Sequence, residues 1–390
     1  MPLLWTALAI ALTTIPPAGP ALSAAQTGRA AASAQRPAAT PQPITIDAVG
    51  DVMLGWRVST LVQSDGTDAP FSGVRTILAR ADATVGNLEC PLSDRGTPTK
   101  SKSKKDLKAR KEFVLRGTPA AAPGLADAGF AAMTLANNHI LDYGADALDD
   151  TLAALHANGI ETAGAGDDAA LAWQPAYFER RGTRVALLGI SEVIPRGYGA
   201  GRTTPGVAPG RDPLTGEVDA SYLKLLAQVI RHARGRADVV IVYEHWGTEL
   251  LGPPSADHVR LAHAAIDAGA TLVLGAHPHV LGPVEDYHGG LIAYSLGNFV
   301  FDTQPGIQTH SAILQITLRG PTVASWHAIP VVLKGGVPVP AAGADATLIQ
   351  QLLAGVVQAT PPASPAPRTL VSRPGPPPGA PQAAAHGPPQ

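Results

Sequence analysis

Seven side chains able to bind a metal or move a proton each follow directly on an apolar run: Asp51, Glu89, Asn138, His139, His245, His277 and His279. Imidazole is the commonest side-chain ligand for transition metals, and carboxylates and amides suit harder divalent ions. The mixture fits Mn, Zn, Fe or Mg, bound as one or two ions. Ligand-type residues scattered by chance would not all fall at strand ends. Ligands in open α/β sheets collect at the carboxyl ends of the strands. If these strands share one sheet, the seven groups converge at one edge of it. The most local signal is His277-Pro278-His279, a short loop after the apolar run 271–274 that aims two rings at one place.

Each residue also has an ordinary reading. Asp51 after Gly50 could cap a turn. Glu89, before Cys90-Pro91, could lie in a surface turn. His139 follows two Asn residues, all tolerant of unusual backbone angles, and could be a loop residue. Their shared placement is what points to a site. Trp246 either lines the pocket or packs under the loop, and Glu249 either supports a histidine or is exposed. Asn298 and Asp302 carry less signal. His156, His232, His258 and His263 fall on predicted helices away from strand ends and read as surface or core residues. Lys100, Lys102, Lys104, Lys105, Lys108, Arg110 and Lys111 form a basic run. It reads as a solvated, mobile loop, or as a flap that attracts a polyanion. Gly164-Ala165-Gly166 lacks the Lys and Ser/Thr of a phosphate-binding loop. Cys90 has no base at obvious spacing, which argues against a thiol nucleophile.

The elements that must position these groups alternate in type. Strands are expected at 44–49, 83–85, 130–135, 184–189, 239–243 and 271–274, and helices at 73–81, 119–128, 145–158, 222–234 and 257–268. Gly129 and Gly159 close two of the helices. Leu148, Leu152 and Leu155 share a helix face. Later apolar runs, 291–295, 312–318 and 323–332, have few intervening helix signals and read as antiparallel strands. A parallel half followed by an antiparallel half predicts an α/β chain arranged as a layered α/β/β/α sandwich.

With 390 residues the chain can bury a large core, in one big domain or two. A formal net charge of −2 gives no hint of nucleic acid as a partner. Residues 1–25 read as a signal peptide: the apolar stretch 3–12 is too short for a comfortable membrane span, and small residues follow at 21–25. No Lys or Arg precedes that stretch, which departs from the usual signal pattern. Export is expected, to the periplasm, the cell envelope or the medium. The lone Cys90 precludes an intramolecular disulfide, and no Cys follows the signal to carry a lipid anchor. An Ala/Pro-rich linker is expected at 26–43, a single folded domain at 44–335, and a mostly disordered Pro/Ala-rich tail at 336–390, with one helix candidate at 346–357.

Seven ordered segments carry a resemblance: Gly50-Asp51-Val52-Met53-Leu54-Gly55, Asn87-Leu88-Glu89-Cys90-Pro91-Leu92, Leu135-Ala136-Asn137-Asn138-His139, Asp142-Tyr143-Gly144, His245-Trp246-Gly247-Thr248-Glu249, the His-Pro-His loop, and Tyr294 through Asp302. Together they resemble the CapA family of capsule and poly-γ-glutamate synthesis proteins. The resemblance implies a calcineurin-like metallophosphoesterase fold, a four-layer α/β/β/α sandwich. It also implies roles: Asp51 as a metal carboxylate, Glu89 as the bridging carboxylate, Asn138 as an amide ligand, and His245, His277 and His279 as imidazole ligands. His139 would protonate a leaving oxygen or steady the transition state. Met53 stands where the wider superfamily usually has a histidine ligand, and a thioether is a poor substitute for hard metals. One position then holds Glu89, Asn138, His245 and His277. The other has only Asp51, His279 and a share of Glu89, so one tight and one weak site are expected. The function implied is that of an exported metal-dependent hydrolase of envelope-polymer metabolism, in which an activated water attacks a phosphoester or a γ-glutamyl amide. The alternative is a non-catalytic component that binds or guides the polymer. Partners would be an anionic envelope polymer or phosphorylated substrate and a membrane synthesis complex, with no nucleic acid.

Overall fold

Strands buried on both faces read as unbroken apolar runs, and Val239–His245 and Leu272–Ala276 are buried at every position. The computed structural model describes residues 42–359, apart from 111, 213 and 214. The expected signal peptide, most of the linker and the end of the tail lie outside the described residues. Strands run in chain order as β1 (Ile44–Val52), β2 (Ala83–Leu88), β3 (Phe130–Thr134), β4 (Glu161–Ala163), β5 (Ala165–Gly166), β6 (Ala176–Arg180), β7 (Thr183–Ser191) and β8 (Gly206–Val207). They continue as β9 (Val239–His245), β10 (Leu272–Ala276), β11 (Val284–Tyr287), β12 (Gly290–Ala293), β13 (Asn298–Val300), β14 (His310–Arg319), β15 (Thr322–Lys334) and β16 (Val337–Pro340).

The ligand-bearing strands divide between two sheets rather than sharing one. An 8-stranded sheet has the order β16-β15-β14-β1-β2-β3-β4, with β13 pairing the end of β1. A 6-stranded sheet has the order β11-β12-β10-β9-β7-β6. Ile46, Ala48, Val85, Leu187, Ile241, Leu274 and Leu314 belong to one buried cluster contributed by strands of both sheets. Two further clusters back the sheets. One joins the first sheet to helices that include α1 (Trp56–Asp65) and α2 (Ala145–Ala157), and the other joins the second sheet to α3 (Ala220–Arg234) and α4 (Ala256–Asp267). Every large apolar side chain moved into these clusters contributes roughly 1.5–3 kcal/mol. Tyr243 crosses between the sheets and donates its hydroxyl to the Val49 carbonyl at 2.6 Å.

Local departures from expectation have physical causes. The run at 291–295 becomes β12, which pairs parallel with β10 and antiparallel only with β11. The helix expected at 73–81 shrinks to Arg75–Leu78. The folded unit also continues past residue 335. Gly335 and Gly336, both at positive φ, make the two-residue turn that pairs Lys334 with Val337. The helix α5 (Gly343–Leu353) then buries Ile349, Leu352 and Leu353. Among the described residues no helix is long and apolar enough to cross a membrane.

Candidate metal centre

The carboxyl ends of β1, β2 and β3 in one sheet meet those of β9 and β10 in the other. Register sets the neighbours. Asp51, at the end of β1, lies opposite Asn87 of β2 on one side and Asn298 of β13 on the other. Gly50 makes this crossing possible, because a Cβ there would meet the Gly297 carbonyl oxygen at 1.9 Å. Asp51 is fully buried. Its Oδ1 accepts from Asn87 Nδ2 at 2.8 Å, and its Oδ2 accepts the main-chain N–H of His277 at 3.2 Å.

Glu89 follows β2 and is also fully buried, yet neither of its oxygens has a hydrogen-bond partner. His277 Nδ1 is likewise buried without one. Orphaned buried groups of this kind are rare in folded proteins and call for a specific cause. Two groups that could hold a metal ion share Glu89: Glu89 with His245 and His277, and Asp51 with Glu89 and His279. Within each group the ligand atoms lie within 4.8 Å of one another. Asn138 Oδ1 stands 2.9 Å from His245 Nε2, which places it beside the first group.

The electrostatics fit a cation. Burial pushes the Glu89 carboxyl well above the usual range, and the adjacent Asp51 charge adds to this. Burial, then the neighbouring imidazoles, hold His245 well below the usual range. Burial carries His277 down to about 3, helped by His279. For His279 burial works in the same direction, but the Glu89 and Asp51 carboxylates overcome it and hold the ring up to about 10. Buried carboxylates facing two imidazoles that stay neutral, His245 and His277, make a donor set for a divalent ion.

The loop that carries two of the rings is strained. His277 and His279 have φ of 92° and 57°, conformations that non-glycine residues rarely adopt. Asn298 steadies one ring, with its Oδ1 2.9 Å from His279 Nδ1. Met53 contributes nothing to either group. Its side chain is buried in the outer core, and its sulfur accepts the Gly55 N–H at 3.1 Å.

His139 sits to one side in a network of its own. Its Nδ1 is 2.7 Å from Asp142 Oδ2 and 2.9 Å from Lys102 Nζ. Lys102 is only 4% exposed, so the basic run is not a wholly solvated loop. Burial lowers His139, and the Lys102 charge lowers it further. Burial lowers Lys102 in turn, against the pull of Asp142. Asn137 builds the turn beneath: its Oδ1 accepts the main-chain N–H of His139 at 3.0 Å and of Ile140 at 2.9 Å, and its amide donates to Asn87 Oδ1 at 3.0 Å.

Other residues resolve one way or the other. Trp246 packs under the loop, donating to the Tyr294 carbonyl at 2.8 Å and stacking on His258. Glu192 accepts the Gly247 N–H at 2.5 Å and faces His258 Nε2 at 3.1 Å. Burial opposes its ionisation, but His258, that N–H and Arg211 hold it down to about 2. His258 thus belongs to the scaffold behind His245. Glu249 is exposed, and Asp302 pairs with Arg57. Glu192 stands in none of the motifs visible in the sequence. Asn87 appears there only at the head of the segment that carries Glu89, and Lys102 only as one member of the basic run. Asn87 alone had a visible signal, a polar residue near the end of an otherwise small and apolar strand.

Two face-to-face sheets with a carboxylate–imidazole centre at their joined strand ends define an α/β protein built around a metal-type site. The family described as bacterial capsule synthesis protein PGA_cap matches residues 45–303, and the chain belongs to it. It is 34% identical over 293 residues to the PGA biosynthesis protein CapA of Bacillus subtilis, covering 75% of this chain and 72% of that one. It is 35% identical over 306 residues to the capsule biosynthesis protein CapA of Bacillus anthracis, covering 78% and 71%. A probable polyglutamine synthesis accessory protein of Mycobacterium tuberculosis is 33% identical over 250 residues, 62% of each chain. A crystal structure of a hypothetical protein from Thermus thermophilus aligns at 14% identity and a TM-score of 0.41, over 74% of this chain and 98% of that one.

Proposed function

We propose that this chain is an exported, metal-dependent hydrolase of capsule, poly-γ-glutamate or related envelope-polymer biosynthesis, on a metallophosphoesterase-type sandwich. The observation that carries the reading is Glu89, a buried carboxylate with no hydrogen-bond partner, shared by two ligand groups beside His139. Glu89, Asn138, His245 and His277 would hold one ion; Asp51, His279 and Glu89 would hold a weaker one. A divalent cation there supplies Lewis acidity toward water and toward an ester or amide oxygen. Asn87 and the Asp51–His277 bond orient the ligands, so the protein rather than the ion sets the geometry. His139 faces developing negative charge with a ring N–H, an effect worth about 10²–10³-fold in rate. The exposed Lys104, Lys105, Lys108 and Arg110 suit an acidic polymer approaching from that side.

The name CapA on the two Bacillus relatives supports the envelope-polymer role. A second reading, a non-catalytic component that binds or guides the polymer, gains from Met53, which leaves the second ligand group one donor short. The deciding experiment measures bound metal and metal-dependent turnover of phosphoesters and γ-glutamyl peptides, for the wild type, Asn138→Ala and His139→Ala. Turnover that survives both substitutions would sink the site. Polymer binding with no turnover would move the assignment to the guide.

A further inference from the structure

We propose that Lys102 is a positioning residue that fixes the tautomer of His139, placing the ring proton on Nε2. The inference rests on His139 belonging to the proposed centre only for its consequence; the proton assignment stands on geometry alone. Lys102 Nζ lies 2.8 Å from the Phe113 carbonyl oxygen, 2.6 Å from Asp142 Oδ1 and 2.9 Å from His139 Nδ1. An ammonium has three protons and no lone pair. Three acceptors around it use all three protons, and Nδ1 can be the third only if it carries a lone pair.

Asp142 Oδ2 competes for the same ring nitrogen at 2.7 Å. Asp142 does not depend on that proton. Its Oδ2 accepts the Leu115 N–H at 2.7 Å, and its Oδ1 accepts from Lys102 and from the Tyr198 hydroxyl at 2.8 Å. The carboxylate keeps these donors whichever tautomer the ring adopts, whereas the buried ammonium would lose a partner if Nδ1 were protonated. The positive charge on Lys102 lies against Nδ1 and against Oδ1 of the same carboxylate, and it offsets the repulsion between the lone pairs of Nδ1 and Oδ2. The other edge of the ring is free to act: Nε2 has no hydrogen-bond partner among the described residues. A neutral His139 would then present a fixed N–H to an anionic oxygen, with no need for an imidazolium.

The test is a two-bond 1H–15N correlation of the histidine rings of the full chain at one fixed pH, with His139→Gln used to assign the His139 signals. The expected wild-type pattern has Nε2 protonated and Nδ1 bare. In Lys102→Met, Asp142 alone faces Nδ1, and the two nitrogens exchange roles. A wild-type spectrum with Nδ1 protonated overturns the proposal whether or not the variant folds. So does a folded Lys102→Met with an unchanged pattern. A protein that binds no metal and turns nothing over would sink the proposed function while leaving this readout intact.

Discussion

The main-chain N–H of His277 donates to Asp51 Oδ2 at 3.2 Å, and that bond ties the second sheet to the first at the metal-type centre. Asp51→Ala removes the acceptor for this N–H and for the Asn87 amide at once. Stripping buried donors of their acceptor costs about 1–3 kcal/mol. The urea midpoint of metal-free Asp51→Ala should therefore fall below that of the wild type. An unchanged midpoint would show that Asp51 has no part in holding the sheets together.

His277 and His279 stand in different ligand groups, so their loss should be unequal. His277→Ala breaks the fuller group, which also has Asn138 beside it; His279→Ala breaks the sparser one. Metal retained per chain after dialysis against Mn or Zn should drop further in His277→Ala. Thermal shifts on adding metal should follow the same order, since a ligand stabilises only the folded state that binds it. Equal losses would mean a single shared ion.

Asp47 is buried on β1 far from the centre, and burial pushes its carboxyl up to about 6 against the opposing hydrogen bond from Gln315. A raised folded pKa gives stability that is full below the unfolded value near 3.8 and is lost as pH rises through about 6. At pH 8 the ionised side chain therefore costs on the order of 3 kcal/mol. Asp47→Asn keeps an acceptor for Gln315 and carries no charge. Its melting temperature should exceed that of the wild type at pH 8, and the gap should close toward pH 4. A gap independent of pH would contradict the assignment.

Cys90 adjoins Glu89 but is not a nucleophile. Burial pushes its thiol up to about 12, and its sulfur accepts the Leu54 N–H at 3.3 Å. A thiol without thiolate character is inert. Ellman's reagent should find no reactive thiol in the native protein and one per chain in guanidinium. Rapid native labelling would place the sulfur in the open site.

The strand-terminal groups were legible because a parallel strand has one functional end, and the residue after it is visible in the sequence. Which sheet a strand joins was not. β1 and β9 look alike as apolar runs, and only the long connections between them decide that they face each other. Lys102 was hidden for a different reason. Nothing in a run of like charges marks the member that turns inward, because its partner Asp142 lies 40 residues away. The extra strand β16 was masked by its prolines, Pro338 and Pro340, which suit the outermost position it holds in its sheet. The Gly335-Gly336 turn was the readable clue to it.

Because the candidate ligands come from both sheets, the layer of side chains between the sheets acts as a spacer gauge. Ile46, Val85, Ile241 and Leu274 are buried in that layer, and their combined thickness sets how far Asp51 and Glu89 stand from His245 and His277. Trimming or enlarging one of them would retune the centre from a distance. A search for variants that prefer a larger or smaller ion should therefore begin in the apolar interior, where no residue has any affinity for metal.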